Sequence, residues 1–182
     1  MKDGWQPCCD LQHLRRRAQM LTAIRQFFAE RRVLEVETPL LCQATGTDPQ
    51  LDFFSSQLNA IPDIDRLYLQ SSPEFAMKRL LAAGSGDIYQ ICKAFRNGES
   101  GRQHNPEFTI LEWYRLGFDL QALMAEVAEL VQLLLPEQVW KVQILSYQTV
   151  FEQATGLDAL DFDKQRFIET AIRLGLSEAE TI

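Results

Sequence analysis

The chain has 182 residues, of which 46% are hydrophobic and 24% charged, with a formal net charge of −7 at pH 7. Its length and composition are typical of a single globular domain with a core of its own. No run of residues approaches the roughly 18 apolar positions that a membrane-spanning helix needs. The acidic balance argues against a protein whose main task is to grip a phosphate backbone.

Cysteine usage and the N-terminal residues indicate the compartment. The chain has four cysteines and no CxxC pair, which fits a reducing compartment and argues against a zinc site. The first residues, MKDGWQPCCDLQHLRRR, are polar and basic and contain no apolar signal-peptide core. We therefore predict a cytoplasmic protein that has no zinc site and does not associate with a membrane, and we assign none of its residues as metal ligands.

The first half of the chain predicts a helix, a strand and a second helix. Apolar residues recur at helical spacing from Asp10, a candidate N-cap, to Arg32. Residues 33–41 then alternate between apolar and charged side chains, so they predict one strand, which Pro39 restricts to a sheet edge or a bend. A turn-rich loop, a short strand and a helix that ends near Gly84 follow at residues 43–50, 67–70 and 73–83.

The second half predicts a hairpin followed by helices. Strands are predicted over Asp87–Phe95 and Phe108–Arg115, and Asp119 is the candidate N-cap of a helix that ends at Pro136. The inner face of that helix is predicted to carry Leu120, Leu123, Met124, Val127, Leu130, Val131 and Leu134. A short strand and two helices are predicted at residues 140–145, 146–154 and 163–174. Residues 177–180 (SEAE) have capping-box spacing, so we expect the chain to continue beyond Ile182.

The predicted hairpin gathers charged and aromatic side chains on one face. Side chains of a strand alternate with period two, so Cys92, Ala94 and Arg96 share a face of the first strand. On the second strand one face is shared by Phe108, Ile110, Glu112 and Tyr114. Buried charges are costly unless they are paired, so charged side chains on a sheet face suggest a ligand. The planar guanidinium of an arginine can donate two hydrogen bonds to a phosphate, and an aromatic side chain can stack on a nucleotide base. This pattern favours a binding surface, although a surface hairpin with ordinary cross-strand pairs stays open.

The hairpin residues carry a resemblance to a known family. The sequence FRN at residues 95–97, followed by a loop and HNPEF at residues 104–108, resembles motif 2 of the class II aminoacyl-tRNA synthetases in the form found in lysyl-tRNA synthetases. The continuation TILEWYR at residues 109–115 is more similar to the elongation factor P–lysine ligases. Two further blocks that resemble this family lie upstream, and three blocks in the family's order make the resemblance specific.

The upstream blocks extend the resemblance over roughly residues 14–160. Residues 28–41 (FAERRVLEVETPLL) resemble motif 1, and residues 71–84 (SSPEFAMKRLLAAG) resemble the block that holds the amino acid. The resemblance implies an α+β fold in which helices flank an antiparallel sheet. It also implies that residues 1–182 form one catalytic domain, incomplete at its C-terminus and without an anticodon-binding domain.

The resemblance implies ATP-dependent activation of lysine or β-lysine through an aminoacyl-adenylate, followed by transfer to a lysine side chain of elongation factor P. ATP and Mg²⁺ are the implied cofactors, a homodimer through motif 1 is implied, and tRNA is not expected as a partner. Arg96 would be catalytic, bridging the α-phosphate and the attacking carboxylate. The implied ATP contacts are Arg96, Asn97, Gly98, His104, Asn105 and Phe108. The implied contacts to lysine are Ser72, Pro73, Glu74, Glu112 and Tyr114.

Two positions depart from the family pattern, and the alternatives remain open. Gly98 stands where the family carries glutamate, and period two would point the neighbouring Glu99 to the opposite side unless the backbone shifts at the glycine. Arg32 stands where the family usually has glycine, so the turn after the first helix is expected to change.

No motif 3 occurs, so we expect the 182 residues alone to be inactive. A fragment of a tRNA-charging synthetase and a non-catalytic binding or dimerisation module are the alternatives.

Overall fold

The computed structural model describes residues 9–61, 64–138 and 141–176. Contacts within the chain divide it into two compact units, residues 1–138 and 139–182. That residues 1–182 form one domain stays a prediction. The described elements of the first unit are α1 (Leu11–Glu30), β1 (Leu34–Glu35), β2 (Leu41–Cys42), β3 (Ser55–Ile61), β4 (Ile64–Leu69), α2 (Glu74–Ala82), β5 (Ile88–Phe95), β6 (Glu107–Tyr114) and α3 (Leu120–Leu134).

The strands of the first unit form two three-stranded sheets, which is compatible with the α+β class. One sheet has the order β1-β5-β6, with β1 parallel to β5 and β5 antiparallel to β6. The other has the order β2-β4-β3 and is antiparallel throughout. The short strand predicted at residues 67–70 is the second half of β4. Strand β3 was not predicted, because its sequence SSQLNAI is largely polar and shows little alternation of apolar residues.

The prediction of one strand over residues 33–41 is wrong. The alternating residues divide into β1 and β2, which belong to different sheets. Between them Val36 N donates to Tyr89 O at 2.9 Å, and Leu40 O accepts from Gln70 N at 3.0 Å. Pro39 has no N–H to continue a ladder, so the chain leaves the first sheet and joins the second.

The turn after α1 keeps its left-handed geometry although it lacks glycine. Val33 N donates to Phe28 O and Arg32 N donates to Ala29 O, each at 3.0 Å, which is the Schellman pattern. This pattern needs a left-handed residue after the C-cap, and Arg32 has φ 56°, alone among the described non-glycine residues. The turn is therefore retained, at the cost of a strained arginine rather than by a change of shape.

Helices α1 and α3 cover one face of the β5–β6 hairpin. Phe28 of α1 stacks on Tyr89 at 4.5 Å between ring centroids, and Trp113 lies 5.5 Å from Phe28. The buried cluster comprises Ile24, Phe27, Phe28, Val33, Tyr89 and Leu130, with Ile91, Leu111, Trp113 and Leu134 packed against it. The opposite face of the hairpin carries Ile88, Gln90 and Ala94, which are also buried, and the partly exposed side chains of β6.

The predicted inner face of α3 is confirmed only in part, since Leu130 belongs to the buried cluster and Leu134 packs against it. Of its predicted members only Leu130 is buried, while Leu120 is 68% exposed and Leu123 and Val127 are also exposed. The other buried residue of α3 is Glu126. Because this helix is apolar around most of its circumference, periodicity alone does not identify the side that meets the core.

The second unit contains α4 (Tyr147–Thr155) and α5 (Lys164–Arg173), close to the predicted helices. Ser146 and Asp163 cap the N-termini of these helices. The rings of Phe151 and Phe167 stack with 5.7 Å between their centroids. The strand predicted over residues 140–145 is wrong for residues 141–145, which have no regular secondary structure. Trp140, and the predicted capping box at residues 177–180, lie outside the described residues. No described helix is long and apolar enough to cross a membrane.

Candidate functional site

The strand register brings the predicted site residues of β6 to one face of the hairpin. Ile88, Gln90, Cys92 and Ala94 of β5 pair with Tyr114, Glu112, Ile110 and Phe108 of β6, respectively. Directly paired residues of adjacent strands point to the same side of a sheet. The side chains that the spacing places together are thus together in the structure, on the face away from α1 and α3.

Glu112 is the centre of what we call the acidic end, made of Ser72, Pro73, Glu74, Glu112 and Tyr114. Its carboxylate accepts hydrogen bonds from Ser72 Oγ and from the Tyr114 hydroxyl, each at 2.6 Å. Burial, and then the bond to Glu112, raise the pKa of Tyr114 above its usual range. Tyr114 therefore stays protonated near neutral pH and donates, while Glu112 keeps further lone pairs for a ligand.

Glu74 lies beside this carboxylate in the first turn of α2. Pro73 is buried at the N-cap, and Ser72 Oγ accepts from Glu74 N at 3.1 Å while it donates to Glu112. Glu74 also contributes to the raised pKa of Tyr114, so its charge is close to the phenol. Its carboxylate is half-exposed and pairs with Lys78 one turn later. Two carboxylates thus face the same small region, a suitable place for ammonium groups.

Arg96 is the centre of the arginine end, made of Arg96, Phe108 and the loop between β5 and β6. Its guanidinium carbon lies 5.0 Å from the centroid of the Phe108 ring, within cation–π range. Its Nε is buried and has no hydrogen-bond partner among the described residues. A buried donor without an acceptor is costly, so Arg96 is poised to bind an anion.

Gly98 and Glu99 resolve one departure from the family pattern. Gly98 has φ 80°, a left-handed conformation that redirects the chain as it leaves β5. The carboxylate of Glu99 lies 3.8 Å from Arg96 Nη1. Of the two alternatives, the structure has the one in which the backbone shifts at Gly98, because the strand ends at Phe95 and the glycine turns the chain.

The remaining predicted nucleotide contacts lie in the loop and are exposed. Asn97 N donates to Asp52 O at 2.9 Å, which joins the loop to the segment before β3. His104 exchanges backbone hydrogen bonds with Gly101, and Asn105 is exposed beside it. The structure holds these residues at the same end of the hairpin as Arg96 and packs none of their side chains into the core.

The two ends lie on one face at a distance suited to two ligand groups. Phe108 and Glu112 are four residues apart on β6, which corresponds to about 13 Å along a strand. The face can therefore hold ammonium groups at the acidic end and a phosphate with a stacked ring at the arginine end. Among the described residues no group of three or more His, Cys, Asp or Glu side chains could hold a metal ion.

Sequence reasoning missed two buried amides beside the acidic end. Gln90 pairs in register with Glu112, is almost fully buried, and accepts from Thr38 Oγ1 at 3.0 Å. Gln70 Nε2 lies 3.9 Å from Cys92 Sγ. Burial first, and then the charge of Glu112, raise the pKa of the Cys92 thiol. The polar residue in the middle of the apolar run IYQIC was the available signal for Gln90.

Comparison with known proteins gives consistent matches. The family model of the class II tRNA synthetases (D, K and N) matches residues 10–173. A protein of Vibrio campbellii named elongation factor P–(R)-β-lysine ligase is 49% identical over 180 residues, which are 98% of this chain and 55% of that protein. A protein of the same name from Pseudoalteromonas translucida is 51% identical over 176 residues, 96% of this chain and 54% of its own length. The chain spans about half the length of the curated relatives it matches.

Proposed function

This chain belongs to the family of class II tRNA synthetases (D, K and N), and we propose that it serves to activate lysine or β-lysine with ATP for transfer to a lysine side chain of elongation factor P. One observation carries the proposal. The acidic end and the arginine end lie on the same face of the hairpin, so a diammonium ligand and a nucleotide can be bound side by side. The names of the relatives supply the acceptor.

The acidic end suits a ligand with two ammonium groups. Glu74 and Glu112 offer two carboxylates, and Ser72 and Tyr114 hold the second of these in place with short hydrogen bonds. Charge-assisted hydrogen bonds are about twice as strong as neutral ones, so the second ammonium adds selectivity over an apolar amino acid, which carries only one. Lysine and β-lysine both carry two ammonium groups and differ in whether one of these groups is bonded to the α-carbon or to the β-carbon.

The arginine end suits the reacting phosphate. In the proposed reaction a carboxylate oxygen of lysine bonds to the α-phosphorus of ATP as the bond to pyrophosphate breaks. Arg96 would hold both anions, and Phe108 would stack on the adenine, so this chain contributes position and charge rather than a covalent step. The acceptor amine then bonds to the acyl carbon, AMP leaves with the electron pair, and the amine loses a proton. No described residue is assigned to magnesium.

The acceptor distinguishes this proposal from its rival. The description of the family favours tRNA charging, whereas the relatives are named for elongation factor P. A protein of the relatives' full length that carries this chain is incubated with ATP, magnesium and labelled lysine or β-lysine, with unmodified elongation factor P and tRNA in parallel. We expect label on elongation factor P and none on the same protein after dimethylation of its lysines. Label on tRNA alone would refute the proposed acceptor.

A homodimer through motif 1 and a cytoplasmic location stay part of the proposal. Residues 28–41 include the end of α1 and β1, and Leu34 of β1 is exposed at the edge of the first sheet. An exposed apolar strand edge is suited to contact a second copy. Sedimentation analysis would test this, since a monomer at micromolar concentration would contradict it.

A further inference from the structure

The face of β6 opposite the acidic end carries a buried ion network. Trp113 and Arg115 flank Tyr114 in sequence and point to the other side of the strand. Glu126 of α3, only 5% exposed, accepts from Trp113 Nε1 at 3.0 Å and lies 3.3 Å from Arg115 Nε. A single buried carboxylate thus contacts both neighbours of Tyr114.

Arg115 extends the network to the other strand of the hairpin. Its Nη1 lies 3.1 Å from Asp87 Oδ2, and the other oxygen of Asp87 accepts from Leu116 N at 2.7 Å. Asp87 immediately precedes Ile88, which pairs with Tyr114 in the register. The network therefore fixes the ends of both strands at the position where Tyr114 stands.

The network is costly as a source of stability, although Glu126 also lies 3.8 Å from Arg31 Nε and the guanidinium carbon of Arg115 lies 4.5 Å from the centroid of the Phe118 ring. The side chain of Arg115 is 10% exposed, and its Nε and Nη1 have no well-aligned hydrogen bond to any described residue. The loss of hydration of two buried ions can exceed their attraction, and an uncharged replacement of similar volume is often equally stable. A costly pair directly behind Tyr114 calls for another reason.

We propose that Arg115, held by Glu126 and Asp87, is a positioning residue that sets the geometry of Glu112 and Tyr114 in the acidic end. Glu112 also accepts a hydrogen bond of 2.6 Å from Ser72 Oγ, in the segment before α2, and this bond between two elements requires β6 to keep one rotation about its axis. The network fixes that rotation from behind. Its meaning for lysine binding rests on the proposed function, whereas its effect on Tyr114 can be measured without a ligand.

The test variant combines Arg115→Met with Glu126→Gln. It removes both charges, keeps similar volumes, and leaves an amide oxygen to accept from Trp113. The matched control makes the same kinds of change in an exposed ion pair between the two strands of the hairpin, where Lys93 Nζ of β5 and Glu107 Oε1 of β6 are 2.8 Å apart. Tyrosine labelled with ¹³C at Cζ reports the ionisation of Tyr114 by NMR, and Tyr114→Phe assigns its signal.

In the parent and in the control, Tyr114 should stay protonated near pH 10, where ordinary tyrosines ionise, because burial and Glu112 raise its pKa. In the test variant its ionisation should move down toward that of the ordinary tyrosines, because rotation of β6 lets water reach the phenol, while the Tm stays within about 5 °C of the parent. A folded test variant with the parent's titration would show that Arg115 is only structural. Loss of folding in the test variant would also overturn the proposal, since the network would then supply stability.

A lysine titration separates this inference from the proposed function. The test variant should bind lysine at least about tenfold more weakly than the control, because Glu112 has lost its fixed position. If the parent binds no lysine, the proposed function loses its support, and the Tyr114 titration still decides the positioning role. If the parent and the test variant bind lysine equally, Arg115 does not position the acidic end.

Discussion

Replacing Glu112 with glutamine tests the acidic end most sharply. The change keeps the shape of the side chain but removes the charge that would meet a ligand ammonium. It also puts an NH₂ group where the carboxylate now accepts from Ser72 and Tyr114, so one of two hydrogen bonds of 2.6 Å loses its acceptor. Lysine binding should therefore fall while ATP binding, at the other end of the hairpin, should not.

The magnitude follows from the loss of one charge-assisted contact. Hydrogen bonds to charged groups contribute about 1.5–3 kcal/mol, which corresponds to an affinity of lysine that is about 10- to 100-fold weaker. Calorimetric titration measures it, with Glu107→Gln as the control, since Glu107 is exposed on the same strand and pairs with Lys93. Norleucine, which lacks the side-chain ammonium, and 6-aminohexanoate, which lacks the α-ammonium, show which charge Glu112 meets.

The analogue that has already lost the relevant ammonium should bind the parent and Glu112→Gln equally. The other analogue should show the full loss in the variant. Lysine binding that is unchanged by Glu112→Gln, or weakened as much by Glu107→Gln, would refute the assignment of Glu112 to the ligand.

Three further predictions concern other parts of the first unit. Arg96→Ala should lower ATP–pyrophosphate exchange at least about 100-fold in a protein of the relatives' length, and exchange within fivefold of the parent would contradict its role. Arg32→Gly should raise the free energy of unfolding by about 0.5–1 kcal/mol in urea titration, because φ 56° strains an arginine; a loss of stability would contradict this. Burial, then the bond to Glu35, raise the pKa of Tyr89 to about 12, so stability that is present below pH 10 should fall between about pH 10 and 12. Tyr89→Phe should make that fall smaller in urea titrations at several pH values, and an unchanged fall would contradict this assignment.

Local patterns predicted the helices and the hairpin because capping and alternation act within a few residues. Asp10 and Asp119 cap α1 and α3 as the sequence predicts, each side chain accepting from the backbone three residues later. The alternation in β6 likewise groups Glu112 with Tyr114, and the register with β5 keeps them together.

Tertiary contacts decided what local patterns did not. The division of residues 33–41 between two sheets depends on partners at Tyr89 and Gln70, which are distant in sequence. The buried side of α3 carries Glu126, which pairs with Arg115 at the end of β6, and an acid in an apolar helix gives no local sign of burial. The turn of Glu99 toward Arg96 depends on one glycine dihedral angle at the end of a strand.

The dependence of ATP–pyrophosphate exchange on the amino acid tests the central claim most directly. The claim is that Glu74 and Glu112 select a diammonium ligand while Arg96 holds the reacting phosphate on the same hairpin face. In a protein of the relatives' full length that carries this chain, lysine or β-lysine should stimulate exchange at least about 100-fold over norleucine. Exchange that norleucine supports equally well would contradict the claim, because the acidic end would then not select the substrate.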